Sequence, residues 1–217
     1  MTCCCNPRNK DVGKFFSWLA RAELKRYRLK GLEKNQLQMV TGLMQANIQQ
    51  DSILDIGCGT GYLHQSLLLS GAKYSIGVDL SENMLNEAKK LANEQQLENR
   101  TEYLLGHYLD LAENIPSSDV TILDKVICCD PDAESLIKTA AIKSKKYIAL
   151  TYPRTHLLNR LGVFIIAIVM KIFRIEFRNY LYQPEAVEAW LISAGFKKNF
   201  ENRTHIWLTQ LYVRQNQ

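Results

Sequence analysis

The chain has no Cys-x-x-Cys pair, no apolar signal-like segment before residue 20, no internal repeat, and no low-complexity stretch beyond one short cysteine run. Each absence removes a class. Six cysteines stand at Cys3-Cys4-Cys5, Cys58 and Cys128-Cys129, without the separated ligand pairs of a closed metal site. Reduced thiols in a cytoplasmic protein are therefore expected, with no resident metal and with the triple cysteine as part of an N-terminal tail. The apolar run from Leu161 to Met170 is bounded by Arg160 and Lys171 and falls short of the ~20 residues that span a bilayer. It excludes a transmembrane reading. No long basic stripe accompanies the formal charge of +5, so no nucleic-acid partner is expected. What is present is ordinary for a packed domain: 217 residues, 47% hydrophobic and 23% charged, enough for one core with extra elements at its edges.

Residues 1–49 are expected to form a tail and helical arm, and 50–217 the main domain. Within 11–49 two helical segments are predicted, one with Phe15, Trp18, Leu19 and Ala22 on a stripe, the other with Leu37, Val40, Met44 and Ile48; Gly31 separates them. From Ser52 onward, short apolar runs alternate with longer periodic ones, the habit of βαβ units. Strands are predicted at Ile53–Ile56, Tyr74–Val78, Thr101–Leu105, Val120–Leu123 and Tyr147–Thr151. Intervening helices run over Tyr62–Ser70, from a cap at Ser81 with Met84, Leu85, Ala88, Leu91 and Ala92 inward, and from Pro131 with Asp132 and Glu134 in its first turn. A helix over Pro184–Ser193 precedes two strand-like runs, Phe196–Phe200 and Ile206–Val213, read as an antiparallel hairpin. The fold class is α/β, a doubly wound, mostly parallel sheet with that hairpin at its C-terminal end and helices at its N-terminal end.

The run Leu54-Asp55-Ile56-Gly57-Cys58-Gly59-Thr60-Gly61 follows a strand and opens a helix, where bare N–H groups face a ligand and glycines let it touch the main chain. Tyr62 stands where the G-x-G-x-x-G dinucleotide pattern needs glycine, which disfavours a pyrophosphate site. Asp79 ends the second strand, and a carboxylate there can accept from both hydroxyls of a ribose. The bland alternative is a tight turn plus a helix-capping aspartate. Asp55-Ile56-Gly57-Cys58-Gly59-Thr60-Gly61 resembles the first motif of class I methyltransferases dependent on S-adenosylmethionine (SAM), and Val78-Asp79-Leu80-Ser81 is similar to their second. The resemblance spans about residues 50–152. It implies a Rossmann-like methyltransferase sheet with SAM held by Asp55, Gly57, Cys58, Gly59, Gly61, Asp79, Leu80 and Asp124. The family usually presents an acidic residue soon after the third strand, whereas this chain has His107 there. It is either a donor to adenine or a loop histidine facing solvent.

Leu24-Lys25-Arg26-Tyr27-Arg28-Leu29-Lys30-Gly31-Leu32, Leu123-Asp124-Lys125-Val126-Ile127-Cys128-Cys129 and Thr151-Tyr152-Pro153-Arg154 resemble, more diffusely, bacterial relatives of magnesium-protoporphyrin O-methyltransferases. That resemblance implies a tyrosine of the helical arm over the SAM site, here Tyr27 as the catalytic candidate. Where those enzymes place a histidine after the fourth strand, this chain has Cys128-Cys129. The expected partner is a small, apolar, acid-bearing methyl acceptor, with Arg21, Lys25, Arg26 and Arg28 available to its acidic groups; each is alternatively a solvated helix residue. A carboxylate is already ionised at neutral pH and needs no general base. The apolar segment of about 157–174, inserted after the fifth strand, has three competing uses: a core helix, a lid over a greasy substrate, or a peripheral contact with a membrane. The rival readings of the whole are a protein or nucleic-acid methyltransferase and a non-catalytic, membrane-associated SAM-binding module.

Overall fold

The structure is a computed structural model that describes residues 7–172 and 178–215; the side chains of 7–16, 18, 166 and 169 are also outside the description. The Cys3-Cys5 tail, the Phe15 and Trp18 side chains and Phe173 therefore lie beyond it.

Among the described residues there are seven strands: β1 Ser52–Ile56, β2 Tyr74–Asp79, β3 Thr101–Leu105, β4 Ser118–Asp124, β5 Ser144–Pro153, β6 Phe196–Arg203 and β7 Trp207–Arg214. They form one sheet in the order β3-β2-β1-β4-β5-β7-β6. The first five pair in parallel, and β7 lies antiparallel between β5 and β6. The doubly wound sheet and the terminal hairpin are both as expected. The central strands read as near-continuous apolar runs because both of their faces are covered. Alternate residues serve opposite layers: Leu54 and Leu123 join one buried cluster, Ile53 and Ile122 the other.

The helices are α1 Pro7–Lys30, α2 Lys34–Gln45, α3 Tyr62–Leu69, α4 Glu82–Glu94, the short α5 Tyr108–Leu111, α6 Ala133–Lys143, α7 Leu157–Ile172 and α8 Pro184–Ser193. In α4 local chemistry and tertiary packing agree. Ser81 Oγ accepts from the Met84 N–H at 3.2 Å, and the five apolar residues expected inward are all buried. Asp132 caps α6 from outside, its side chain accepting from the Ser135 N–H, so this helix begins one turn boundary later than Pro131 suggested.

Two faces differ from expectation. On α1 the buried pair is Ala20 and Leu24, one turn apart against α4, while Ala22 is exposed. On α2 the inward face carries Asn35, Gln36, Met39, Gly42 and Leu43, while Leu37 and Met44 point outward. Polar residues with distant partners displaced the apolar stripe there. On α7, for which core, lid and membrane uses were all open, Leu157, Leu161, Phe164, Ile165 and Ile168 are exposed, Phe164 by 62%, which disfavours the core use. Its first turn is tied down through Asn159 Nδ2, which donates to the carbonyls of Arg154 and Ile206, both at 2.8 Å.

Candidate active site

β1, β2 and β4 end side by side where the strand order reverses, the place where open parallel sheets bind ligands. After Ile56 the chain folds back onto β2: the N–H groups of Gly57 and Cys58 both donate to the Val78 carbonyl, at 2.7 and 3.0 Å. Gly57 takes a φ of +68°, and a Cβ there would run into Val126 Cγ2. Only glycine fits both demands.

The loop is fastened to Asp79. Its Oδ2 accepts from the Gly59 N–H at 2.9 Å and its Oδ1 from the Ser81 N–H at 2.8 Å. Burial pushes the Asp79 carboxyl up to about 6, although both backbone bonds favour its charged form. A carboxylate has about four lone-pair sites, so two remain for a vicinal diol. Asp79 lines both lobes of the adjoining cleft.

The cleft has two lobes, of about 340 and 260 Å³, which share Gly57, Asp79, Leu80, Val126 and Cys129. Of the residues proposed from the sequence as cofactor contacts, Asp55, Cys58, Gly59 and Asp124 line the larger lobe and His107 lines the smaller. Gly61 lies outside the lining; with φ +74° it serves as the N-cap of α3 and closes the loop. His107 is not turned to solvent. Its Nε2 pairs with Asp130 Oδ2 at 3.2 Å, and that bond raises the imidazole pKa above its ordinary value.

Behind the loop, Asp55 is buried and its Oδ2 meets His64 Nδ1 at 2.8 Å; His64 Nε2 in turn lies 3.2 Å from the Tyr103 hydroxyl. Asp124 Oδ2 accepts from Gln36 Nε2 at 2.7 Å, which joins α2 to the end of β4. Burial raises the Asp124 carboxyl.

The arm places its residues differently from expectation. Tyr27 is not in the lining; its ring stacks on Tyr62 with centroids 4.7 Å apart and planes 12° from parallel. Arg26 donates to the Tyr62 hydroxyl at 3.2 Å, and Arg28 pairs with Glu94 at 2.6 Å on the surface. Arg21 and Lys25 are exposed. None of these four basic residues lines the cleft, whose larger lobe holds, among the described residues, Glu23, Glu33, Asp55, Asp79 and Asp124 against Lys125. Glu23, Glu33, Gln36, Tyr62 and Cys129 were not expected there. Tyr62, directly after the last glycine of the loop, and Cys129, in the Cys128-Cys129 pair after the fourth strand, carried a signal in the sequence; Glu23, Glu33 and Gln36 carried none. Among the described residues no His, Cys, Asp or Glu group is arranged to hold a metal ion.

Comparison with known proteins fits this geometry. Residues 53–145 match the family described as a methyltransferase domain. A ubiquinone biosynthesis O-methyltransferase of Coxiella burnetii is 31% identical over 97 residues, which covers 45% of this chain and 40% of that protein. The namesake from Hydrogenovibrio crunogenus is 32% identical over 100 residues, 39% of its length. The chain thus spans about two fifths of the length of these curated relatives. Among solved structures, magnesium protoporphyrin IX methyltransferase from Synechocystis PCC 6803 with bound SAM superposes with a TM-score of 0.72 at 19% identity, covering 99% of this chain and 100% of that one. A cyclase superposes almost as well, with a TM-score of 0.71 at 12% identity, covering 95% of this chain and 96% of that one. At such identities the likeness speaks to fold, and the cyclase shows that one fold serves more than one chemistry.

Proposed function

We propose that this chain, which carries a methyltransferase domain on the class I SAM-dependent fold, transfers a methyl group from SAM to an oxygen of a small apolar acceptor. The observation that carries the reading is the junction of glycine loop and ribose-type carboxylate: Gly59 and Ser81 N–H groups fix both oxygens of Asp79 in the lining shared by two lobes of about 340 and 260 Å³. When bound, SAM supplies an electrophilic methyl carbon on a positively charged sulfur. The protein's part is to bind, orient and exclude water, since most of the gain comes from holding the acceptor oxygen about 3–3.5 Å from that carbon. Leu80, Val126 and the Cys129 thiol give the shared waist of the cleft an apolar lining. Tyr27, stacked on Tyr62, is proposed to brace the arm over that waist.

Two relatives bear names of O-methyltransferases in ubiquinone biosynthesis, and one solved neighbour acts on magnesium protoporphyrin IX; both names support an apolar acceptor. An acid group on it, as the porphyrin resemblance implies, would lie outside this acidic cleft and meet the exposed Arg21 and Lys25 of the arm. The test is to incubate the protein with methyl-labelled SAM and a lipid extract. Label is expected in an organic-soluble product, released by mild alkali if the bond is an ester and retained if it is an ether. Absence of transfer, with no thermal shift from SAM or S-adenosylhomocysteine at millimolar concentration, would overturn the assignment.

The outward face of α7 fits the same reading. Residues 154–172 contain Arg154, His156, Arg160 and Lys171 and no Asp or Glu, and no described helix is long and apolar enough to cross a membrane. An apolar helix flanked by cations rests on an anionic lipid surface rather than in water, and there it would meet an apolar acceptor. Ile165 and Ile168 are 52% and 45% exposed. Asparagine at both should abolish sedimentation with phosphatidylglycerol vesicles while changing stability by no more than about 0.5 kcal/mol per site, the range of ordinary surface changes. A large fall in melting temperature, or a parent protein that ignores the vesicles, would remove the membrane contact.

A further inference from the structure

Helix α1 brings one carboxylate into the cleft from outside the sheet. Glu23 Oε1 accepts from the Tyr62 hydroxyl at 3.0 Å and lies 3.6 Å from the point where a Cβ on Gly59 would stand. It therefore faces the bare main chain of the glycine loop. The helix is fixed at this height by buried Ala20 and Leu24 and by Ser17 Oγ, 2.7 Å from Ser81 Oγ. No described group hydrogen-bonds the other oxygen, Oε2.

The nearby cations are occupied elsewhere. Arg26 spans the Tyr62 hydroxyl, the Gly31 carbonyl and Glu33, the last at 3.5 Å, and Lys125 is 2.5 Å from Glu33 Oε2. Glu23, Asp55, Asp79 and Asp124 are thus gathered about one space whose lining, among the described residues, holds Lys125 as its cation. Burial raises the Glu23 carboxyl, and neighbouring Asp124 adds to the rise while Tyr62, Lys125 and Arg26 oppose it. A group of partly desolvated carboxylates around an open space gains most from a ligand that brings positive charge.

We propose that Glu23 seats the protonated amino group of the cofactor's amino-acid end, so that the N-terminal arm supplies part of the cofactor site. This rests on the SAM reading given above. Tyr62, which donates to Glu23 and accepts from Arg26 and Gln36 Nε2 at 3.1 Å, positions the carboxylate and links the seat to α2.

Two ligands separate this role from a merely structural one. S-adenosylhomocysteine carries the amino group, and 5′-methylthioadenosine has the same nucleoside and a thioether without the amino-acid end. Glu23→Gln keeps an oxygen to accept from Tyr62 and removes the charge. Calorimetry should show S-adenosylhomocysteine weakened by about tenfold or more, as for a lost charge-assisted hydrogen bond, with 5′-methylthioadenosine unchanged and serving as proof of an intact cleft. Equal weakening of both ligands, or of neither, would overturn the assignment of Glu23 while leaving the cofactor reading in place. Failure of both ligands to bind the parent protein would overturn the two readings together.

Discussion

Asp79→Asn is expected to weaken S-adenosylhomocysteine binding by about 10- to 100-fold, because a charge-assisted hydrogen bond contributes roughly 1.5–3 kcal/mol. The exchange is not conservative here. Two backbone donors, Gly59 N–H and Ser81 N–H, face the two carboxylate oxygens, and an amide offers one oxygen and one NH₂. One donor is left facing another donor, the loop loosens, and the ribose loses its charged acceptor. Asp79 also sets a pH dependence. Its carboxyl is raised by burial to about 6 in the protein without ligand, above the ordinary value near 4. Between those values the folded chain binds more protons than the unfolded one, so this group makes the ligand-free protein lose stability as pH rises from about 4 to about 6. Ligand binding runs the other way, because the hydroxyls of a ribose diol donate to the ionised form. At pH 5 about a tenth of Asp79 is ionised, and affinity should be about tenfold below its value at pH 8. Calorimetry across that range, with a shallower profile in Asp79→Asn, where the raised Glu23 carboxyl still titrates, checks the assignment; the same slope in both proteins would remove Asp79 as its source.

Gly57→Ala should cost more in folding than any other single change in the loop. A φ of +68° costs an L-residue about 1–2 kcal/mol, and forcing a methyl group into the Val126 side chain adds about 1–3 kcal/mol of overpacking. Gly31→Ala isolates the first of these, since Gly31 has φ +69° and open space where its Cβ would stand. A markedly lower melting temperature for Gly57→Ala than for Gly31→Ala, with cofactor binding lost only in the former, is the expected pattern. Equal losses would mean that Val126 moves aside freely.

The glycine loop and α4 could be read before the fold was known because their determinants are local. A φ above zero calls for glycine at its own position, and the Ser81 cap and the five buried apolar residues of α4 lie within twelve residues. The face of α2 could not be read this way. Gln36 is buried because its amide reaches Asp124, 88 residues away, and nothing near Gln36 announces that partner. Glu23 was hidden for a related reason: it stands among Arg21, Lys25, Arg26 and Arg28, and a count of charge along that stretch reports a basic helix. Helical position turns the one acid inward to the loop and the bases outward or onto other partners. For α7, apolar content was plain but its direction was not, since a helix apolar around most of its circumference has no preferred face to orient it.

The placing of β7 between β5 and β6 bears on how the chain is made. β6 leaves the ribosome first yet has no neighbour until β7 follows, and until then the β5 edge, with buried Ile148 and Leu150 along it, shows a row of unpaired backbone groups. An open edge of that kind recruits any extended segment nearby. The half-made protein thus passes through an interval in which its glycine loop and first strands can already assemble while its own hairpin is still being awaited. Slow codons or a stalled ribosome between Phe196 and Arg214 would lengthen the exposure of that edge, and a chaperone that covers strands would matter most there.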